Sequence, residues 1–142
     1  MARITLENEP QADTREAILQ GLIAHNSAGT GGLYAPPRTI ALSVRDEATG
    51  EALGGLTARI GYSRMFIELL FVPEALRGTG IGRELMEQAE HVAREAGCTG
   101  IWLDTFSFQA PGFYSKLGYT EFGAIADYPP GHTRHFLHKL LS

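Results

Sequence analysis

The stretch LRGTGIG, residues 76–82, sets three glycines in seven positions, three residues after the apolar run FIELLFV and directly before a segment with helical periodicity. Glycine inside regular structure costs roughly 0.5–1 kcal/mol relative to alanine, so such a cluster marks a special backbone conformation or the close approach of a ligand. At a strand-to-helix junction the backbone N–H groups point outward and the helix dipole adds roughly half a positive charge, which makes the loop a seat for an anion. Arg77 beside the loop and Arg83 in the first predicted helical turn suit phosphate. Two carboxylates sit in neighbouring apolar segments: Glu68 within FIELLFV and Asp104 near the end of GIWLDTF. Glu68, if its strand buries it, has its pKa raised toward the range of a general base, and Asp104 stands at a strand end, where carboxylates commonly meet substrate.

Spacing decides among the glycine loops. The nucleoside-triphosphate loop requires lysine and then Ser or Thr after its last glycine, and Arg83 and Glu84 stand there instead. The dinucleotide fingerprint requires glycine at the sixth position from Gly78, which is Arg83, although Asp104 would serve as its acidic residue. It also opens a parallel sheet, whereas here the loop follows what reads as an antiparallel meander. A purely structural turn stays open as the plain alternative.

The elements that must position this loop read as follows. ARITLE alternates like a short strand, and DTREAILQGLIAHN puts Ile18, Leu19, Leu22 and Ile23 on one helical face, with Asp13 or Thr14 as N-cap. SAGTGGLYAPP reads as a loop, a mobile one lying over a site. RTIALSVRD, EALGGLTARIGYS and MFIELLFVP are strands with connections too short for parallel pairing. Ile81, Leu85, Met86, Ala89, Val92, Ala93 and Ala96 then form one helical stripe ending at Gly97, and GIWLDTF returns as a strand, so strand, loop, helix and strand make a crossover unit. APGFYSKLG reads as a short helix stopped at Gly118, YTEFGAIA and TRHFLHKLL as the last strands, and DYPPGH as their turn.

The 142 residues fit one domain, 1–142, of ordinary size, and no apolar stretch approaches the ~20 residues of a membrane span. The N-terminus carries no basic region followed by an apolar block, so a cytoplasmic location is the expectation. The net charge of −4, without a Lys/Arg block, argues against a nucleic-acid partner. Cys98, the one cysteine, reads as a small buried residue. His132, His135 and His138 cannot converge on one ion from a strand, where His135 faces away from the other two, so no metal is expected.

RGTGIG, Arg77 to Gly82, resembles the Arg/Gln, two free positions, Gly, one free position, Gly/Ala motif of the GCN5-related N-acetyltransferases (GNAT). APGFYSKLGY, Ala110 to Tyr119, resembles the family's second pattern, and the order of elements matches over nearly the whole chain. The resemblance implies an α/β fold with a mixed, mostly antiparallel, twisted sheet of six to seven strands, splayed between the fourth and fifth, with helices on both faces. It implies that the amides of Gly78, Thr79, Gly80, Ile81, Gly82 and Arg83, with Arg77, hold the pyrophosphate of acetyl-CoA. Gly78 and Gly80 would admit phosphate to the amides, and Gly82 would let the helix start close to the cofactor. The pantetheine arm would lie in the splay beside Leu70, Phe71 and Val72, completing the sheet by hydrogen bonds that parting strands leave unmade. A backbone N–H near Phe71 or Val72 would polarise the thioester carbonyl.

Acetyl transfer to an amine needs a neutral nucleophile and a proton for the departing thiolate. Tyr114 stands where the family places a tyrosine acting as general acid. Glu68 is the candidate base, and Asp104 a second base or an acceptor contact. Where many members carry an asparagine on the pantetheine, this chain has Ser107, with Gln109 close by. Tyr128 and His132, in the last turn, fall where the family often builds its acceptor pocket. The reading is therefore an N-acetyltransferase acting on a primary amine of a small molecule or peptide by direct transfer in a ternary complex, with a homodimer common among such proteins. The carboxylates hint at a cationic amine. A non-catalytic CoA-binding module and a nucleotide-binding module are the alternatives.

Overall fold

The structure, a computed structural model, describes residues 1–31 and 37–142. Two units divide the chain, Met1–Pro36 and Pro37–Ser142. In the first, helix α1 spans Ala12–Gly29, capped at Gln11, so Asp13 and Thr14 lie inside its first turn and are not the cap. Help for that end comes from upstream: the Glu7 carboxylate accepts the Gln11 backbone N–H (3.0 Å) and the Thr14 hydroxyl (2.8 Å). The strand expected from ARITLE does not form. Alternation selects a face, but a strand exists only where a second backbone takes up its N–H and C=O groups, and residues 2–7 have none. Of the expected loop over a site, Ser27 to Gly29 belong to α1, and 32–36 lie outside the described residues.

The second unit is built on a six-stranded mixed sheet: β1 (Arg38–Arg45), β2 (Ala52–Gly61), β3 (Arg64–Phe71), β4 (Gly100–Phe106), β5 (Thr120–Ala126) and β6 (Thr133–Leu140). Their spatial order is β1-β2-β3-β4-β6-β5. Every contact is antiparallel except β3 with β4, and that one parallel pair uses the long connection it requires, a 3₁₀ turn at Glu74–Leu76 followed by α2 (Ile81–Glu95). Leu85, Met86, Ala89 and Ala93 of α2 pack on Leu56, Ala58, Met65, Ile67, Ile101, Leu103 and Leu137 of the sheet. Cys98 is buried at the edge of this core, as its type suggests.

Both α2 and α3 (Pro111–Lys116) end on glycine in the left-handed region, Gly97 at φ 79° and Gly118 at φ 94°. Each ending carries the paired Schellman bonds: Gly97 and Cys98 donate to Arg94 and Ala93, and Gly118 and Tyr119 to Ser115 and Tyr114. KLGY is thus a helix stop that ties Tyr119 back to Tyr114. Tyr119 is buried and donates its hydroxyl to Glu90 of α2 (3.3 Å), which also accepts Lys139 Nζ of β6 (2.9 Å). Lys139 Nζ donates in addition to the Leu117 carbonyl (2.9 Å).

The sheet parts at its middle. β3 and β4 pair only from Arg64 with Gly100 to Ile67 with Leu103, while β3 stays paired to β2 as far as Phe71 and β4 to β6 as far as Phe106. This is the expected splay, now between β3 and β4 because ARITLE is not a strand. A bulge precedes the parting: Thr57 faces Leu69 and Ala58 faces Ile67, so Glu68 is the extra residue of β3. An extra residue bends its strand and reverses which face the following side chains take.

Candidate active site

A cleft of about 910 Å³ fills the gap between the parted strands, with Ile67 to Val72 on one wall and Leu103 to Phe106 on the other. The loop closes one end through Leu76, Arg77, Gly78, Gly80, Gly82 and Arg83, and Gln109, Phe113 and Tyr114 complete the lining. Its size is that of a ligand site. Thr79 and Ile81 are not on its wall.

Gly78 and Gly80 stand at φ 79° and 90°, and a Cβ at either would meet nothing within 4 Å. Backbone conformation, not crowding, selects glycine there, and the space beyond stays open. The α2 ladder begins with Glu84 N–H donating to the Gly80 carbonyl (2.9 Å), so the amides before it have no carbonyl of their own helix to meet. Gly82 differs from the expectation of a helix brought close to a cofactor. A Cβ there would lie 3.3 Å from Phe113 Cζ and 3.6 Å from Val72 Cγ2, so this glycine makes room for α3.

The arginines are partly engaged. Arg77 Nε donates to the Val72 carbonyl (3.0 Å) with its guanidinium over the Phe71 ring, and Arg83 Nε donates to Glu87 (2.9 Å) on the exposed face of α2. Gln109, on the cleft wall, accepts the Thr105 hydroxyl (3.0 Å) and the Phe106 N–H (2.8 Å) at Oε1, which closes the turn after β4. Ser107 lies off the cleft wall: its hydroxyl accepts Thr133 N–H (3.0 Å) and its N–H donates to Thr133 O (2.8 Å), holding the turn to β6.

Tyr114 lines the cleft, its hydroxyl pushed up to about 12, first by burial and second by the charge of Asp104. Asp104 lines it too, its carboxylate 2.8 Å from Arg134 Nη2. Arg134 is the residue that sequence reasoning missed. Its Nη1 donates to the Tyr128 hydroxyl (2.9 Å), its guanidinium lies over the rings of Phe106, Tyr128 and Phe136 at 5.5, 5.1 and 5.3 Å, and its Nε is buried without a partner. Strand parity alone would put Arg134 on a face, but only the β4–β6 register puts that face on Asp104. Tyr128 and His132 sit on the β5–β6 turn, closed by Tyr128 N–H to His132 O (3.0 Å), and neither is on the cleft wall; Tyr128 meets Arg134, and His132 meets Ser107 and Phe108. Glu68 lines the cleft, yet 44% of its side chain is exposed and Arg59 Nε stands 3.8 Å away. The apolar burial expected from its neighbours in FIELLFV is absent, because Glu68 is the extra residue of the bulge.

The residues fit acetyl-CoA: amides at a helix start that, Thr79 apart, whose N–H donates to the Leu76 carbonyl (3.4 Å), precede the first bond of the ladder, open space over left-handed glycines, and two strand edges with unspent hydrogen bonds. The family model for the acetyltransferase (GNAT) family matches residues 5–119. The chain belongs to the GNAT family. It is 32% identical over 134 residues to an acetyltransferase of Agrobacterium fabrum, covering 94% of this chain and 96% of the relative. Blasticidin-S acetyltransferase of Streptomyces morookaense is 45% identical over 93 residues, 65% of this chain and 68% of that one. A crystal structure of a Bacillus cereus acetyltransferase superposes with a TM-score of 0.84 at 37% identity, covering 97% and 98% of the two chains. This GNAT protein is an N-acetyltransferase with acetyl-CoA as its co-substrate. Among the described residues no group of three His, Cys, Asp or Glu could hold a metal ion, and no helix is long and apolar enough to cross a membrane.

Proposed function

We propose that the chain acetylates a primary amine of a small molecule by direct attack in a ternary complex. One observation carries this reading: Tyr114, Asp104 and Glu68 line a single cleft together with Gly78, Gly80 and Gly82 of the glycine loop. The amides of Gly78, Gly80, Gly82 and Arg83, which line the cleft, hold the pyrophosphate with Arg77, and the open edges of Leu70 to Val72 take the pantetheine amides. Acetyl-CoA supplies the activated acyl group and a thiolate leaving group. Tyr114, kept protonated by its burial, donates its proton to that thiolate. Asp104, whose charge Arg134 already meets, binds the acceptor's ammonium and does not remove its proton. Glu68, with one oxygen free of Arg59 and open to water, takes the proton directly or through a water.

The Streptomyces relative is by name a blasticidin-S acetyltransferase, which supports a small-molecule acceptor. Release of free CoA thiol over a panel of primary amines tests the reading. Turnover should fall about 10²-fold or more in Tyr114→Phe with acetyl-CoA binding unchanged, and Glu68→Gln should flatten the acidic limb of the pH profile. Thiol release from no amine, or Tyr114→Phe turnover equal to wild type, would sink it.

A further inference from the structure

Around Asp104 the structure gathers an aromatic platform that the acetyl-transfer chemistry itself does not need. The rings of Phe106 and Phe108 are stacked, 5.2 Å between centroids and 8° between planes. Tyr128 leans on Phe106 at 5.7 Å, and His132 meets Phe108 edge-on at 5.0 Å. Phe108 is 57% exposed and Tyr128 42%. Single exposed aromatic residues are ordinary, but rings grouped from two turns and continuous with a cleft wall mark a binding patch. Continuity comes from Phe106 and Asp104, which line the cleft. Arg134 ties the group together, its guanidinium over Phe106 and Tyr128 and paired with Asp104.

We propose that the acceptor amine carries a planar aromatic or heteroaromatic ring, which stacks on the exposed face of Phe108 beside Tyr128 while its ammonium turns toward Asp104. This rests on the N-acetyltransferase reading above and narrows its substrate class. Flat rings stack on such a face in offset or edge-on geometry, and puckered aliphatic rings of equal carbon count lack the complementary quadrupole.

The test uses the protein saturated with CoA, in which no turnover occurs, titrated with 2-phenylethylamine and with 2-cyclohexylethylamine by NMR. These amines share a skeleton and a charge and differ in planarity. The aryl amine should bind about five- to tenfold tighter. That preference should vanish in Phe108→Ala and persist in Phe108→Tyr, both at an exposed position. Equal affinities in the wild type, a preference untouched by Phe108→Ala, or no binding of either amine would overturn the proposal. Thiol release with aliphatic amines alone would leave acetyl transfer standing and remove the ring. An aryl preference without thiol release from any amine would do the reverse.

Discussion

Arg134 Nη2 stands 2.8 Å from Asp104 Oδ2, a diagonal contact across a ladder in which Asp104 faces Phe136 and Arg134 faces Phe106. Only 15% of the Asp104 side chain is exposed, so its charge depends on this partner. Arg134→Met should lower stability by about 3 kcal/mol in urea unfolding, because it leaves a mostly buried carboxylate without its counter-charge. Arg134→Lys should recover only part, since an ammonium cannot reach Asp104 and the Tyr128 hydroxyl as a fork does.

Tyr114 also makes stability depend on alkaline pH. Its phenol titrates near 10 when unfolded and at about 12 when folded, so the folded state keeps a proton that the unfolded chain releases first. Its contribution is fully present below pH about 10 and is lost as pH rises from there toward 12. Tyr119, raised in the same direction by burial and by Glu90, adds to the slope. Melting temperatures of the wild type and of Tyr114→Phe, compared between about pH 8 and 11, should diverge only at the alkaline end, with the variant falling less steeply.

Glu90 is buried between α2, β6 and the end of α3, where it accepts Lys139 and Tyr119. Glu90→Leu alone should cost about 3 kcal/mol, since Lys139 loses its counter-charge and the Tyr119 hydroxyl its acceptor. Combining it with Lys139→Met should recover much of that loss in the same urea titration, which a sum of independent losses would not do.

Gly80→Ala should weaken acetyl-CoA binding about tenfold while lowering apo stability by only about 1 kcal/mol. Its Cβ meets no atom of the protein, so the effect arises from the positive φ and from filling the space over the amides. Calorimetric titration with acetyl-CoA beside thermal unfolding separates the two.

The parts legible in the sequence are those written in local chemistry. Glycine spacing located the anion loop, helical periodicity located α2, and Gly97 and Gly118 stopped their helices where glycine permits left-handed backbone. What escaped depends on partners far along the chain. ARITLE has a strand's alternation and no strand beside it. Glu68 looks buried by its apolar neighbours, but a one-residue bulge, set by pairing with β2, turns it to solvent and Arg59. Nothing local in the sequence singles out Arg134 or Glu90; register and packing bring Asp104 and Lys139 to them. Gly82 lines the cleft as expected, but only the placement of Phe113 and Val72 shows that its missing side chain makes room for neighbouring side chains.

The brevity of the β3–β4 pairing has a mechanical consequence. Four residue pairs join two leaves, β1-β2-β3 and β4-β6-β5, that are each knitted along nearly their whole length. The ladder between them ends at Ile67 and Leu103. A ligand that pairs with both leaves beyond that point works as a rivet, and its binding free energy adds to the stability of the folded sheet.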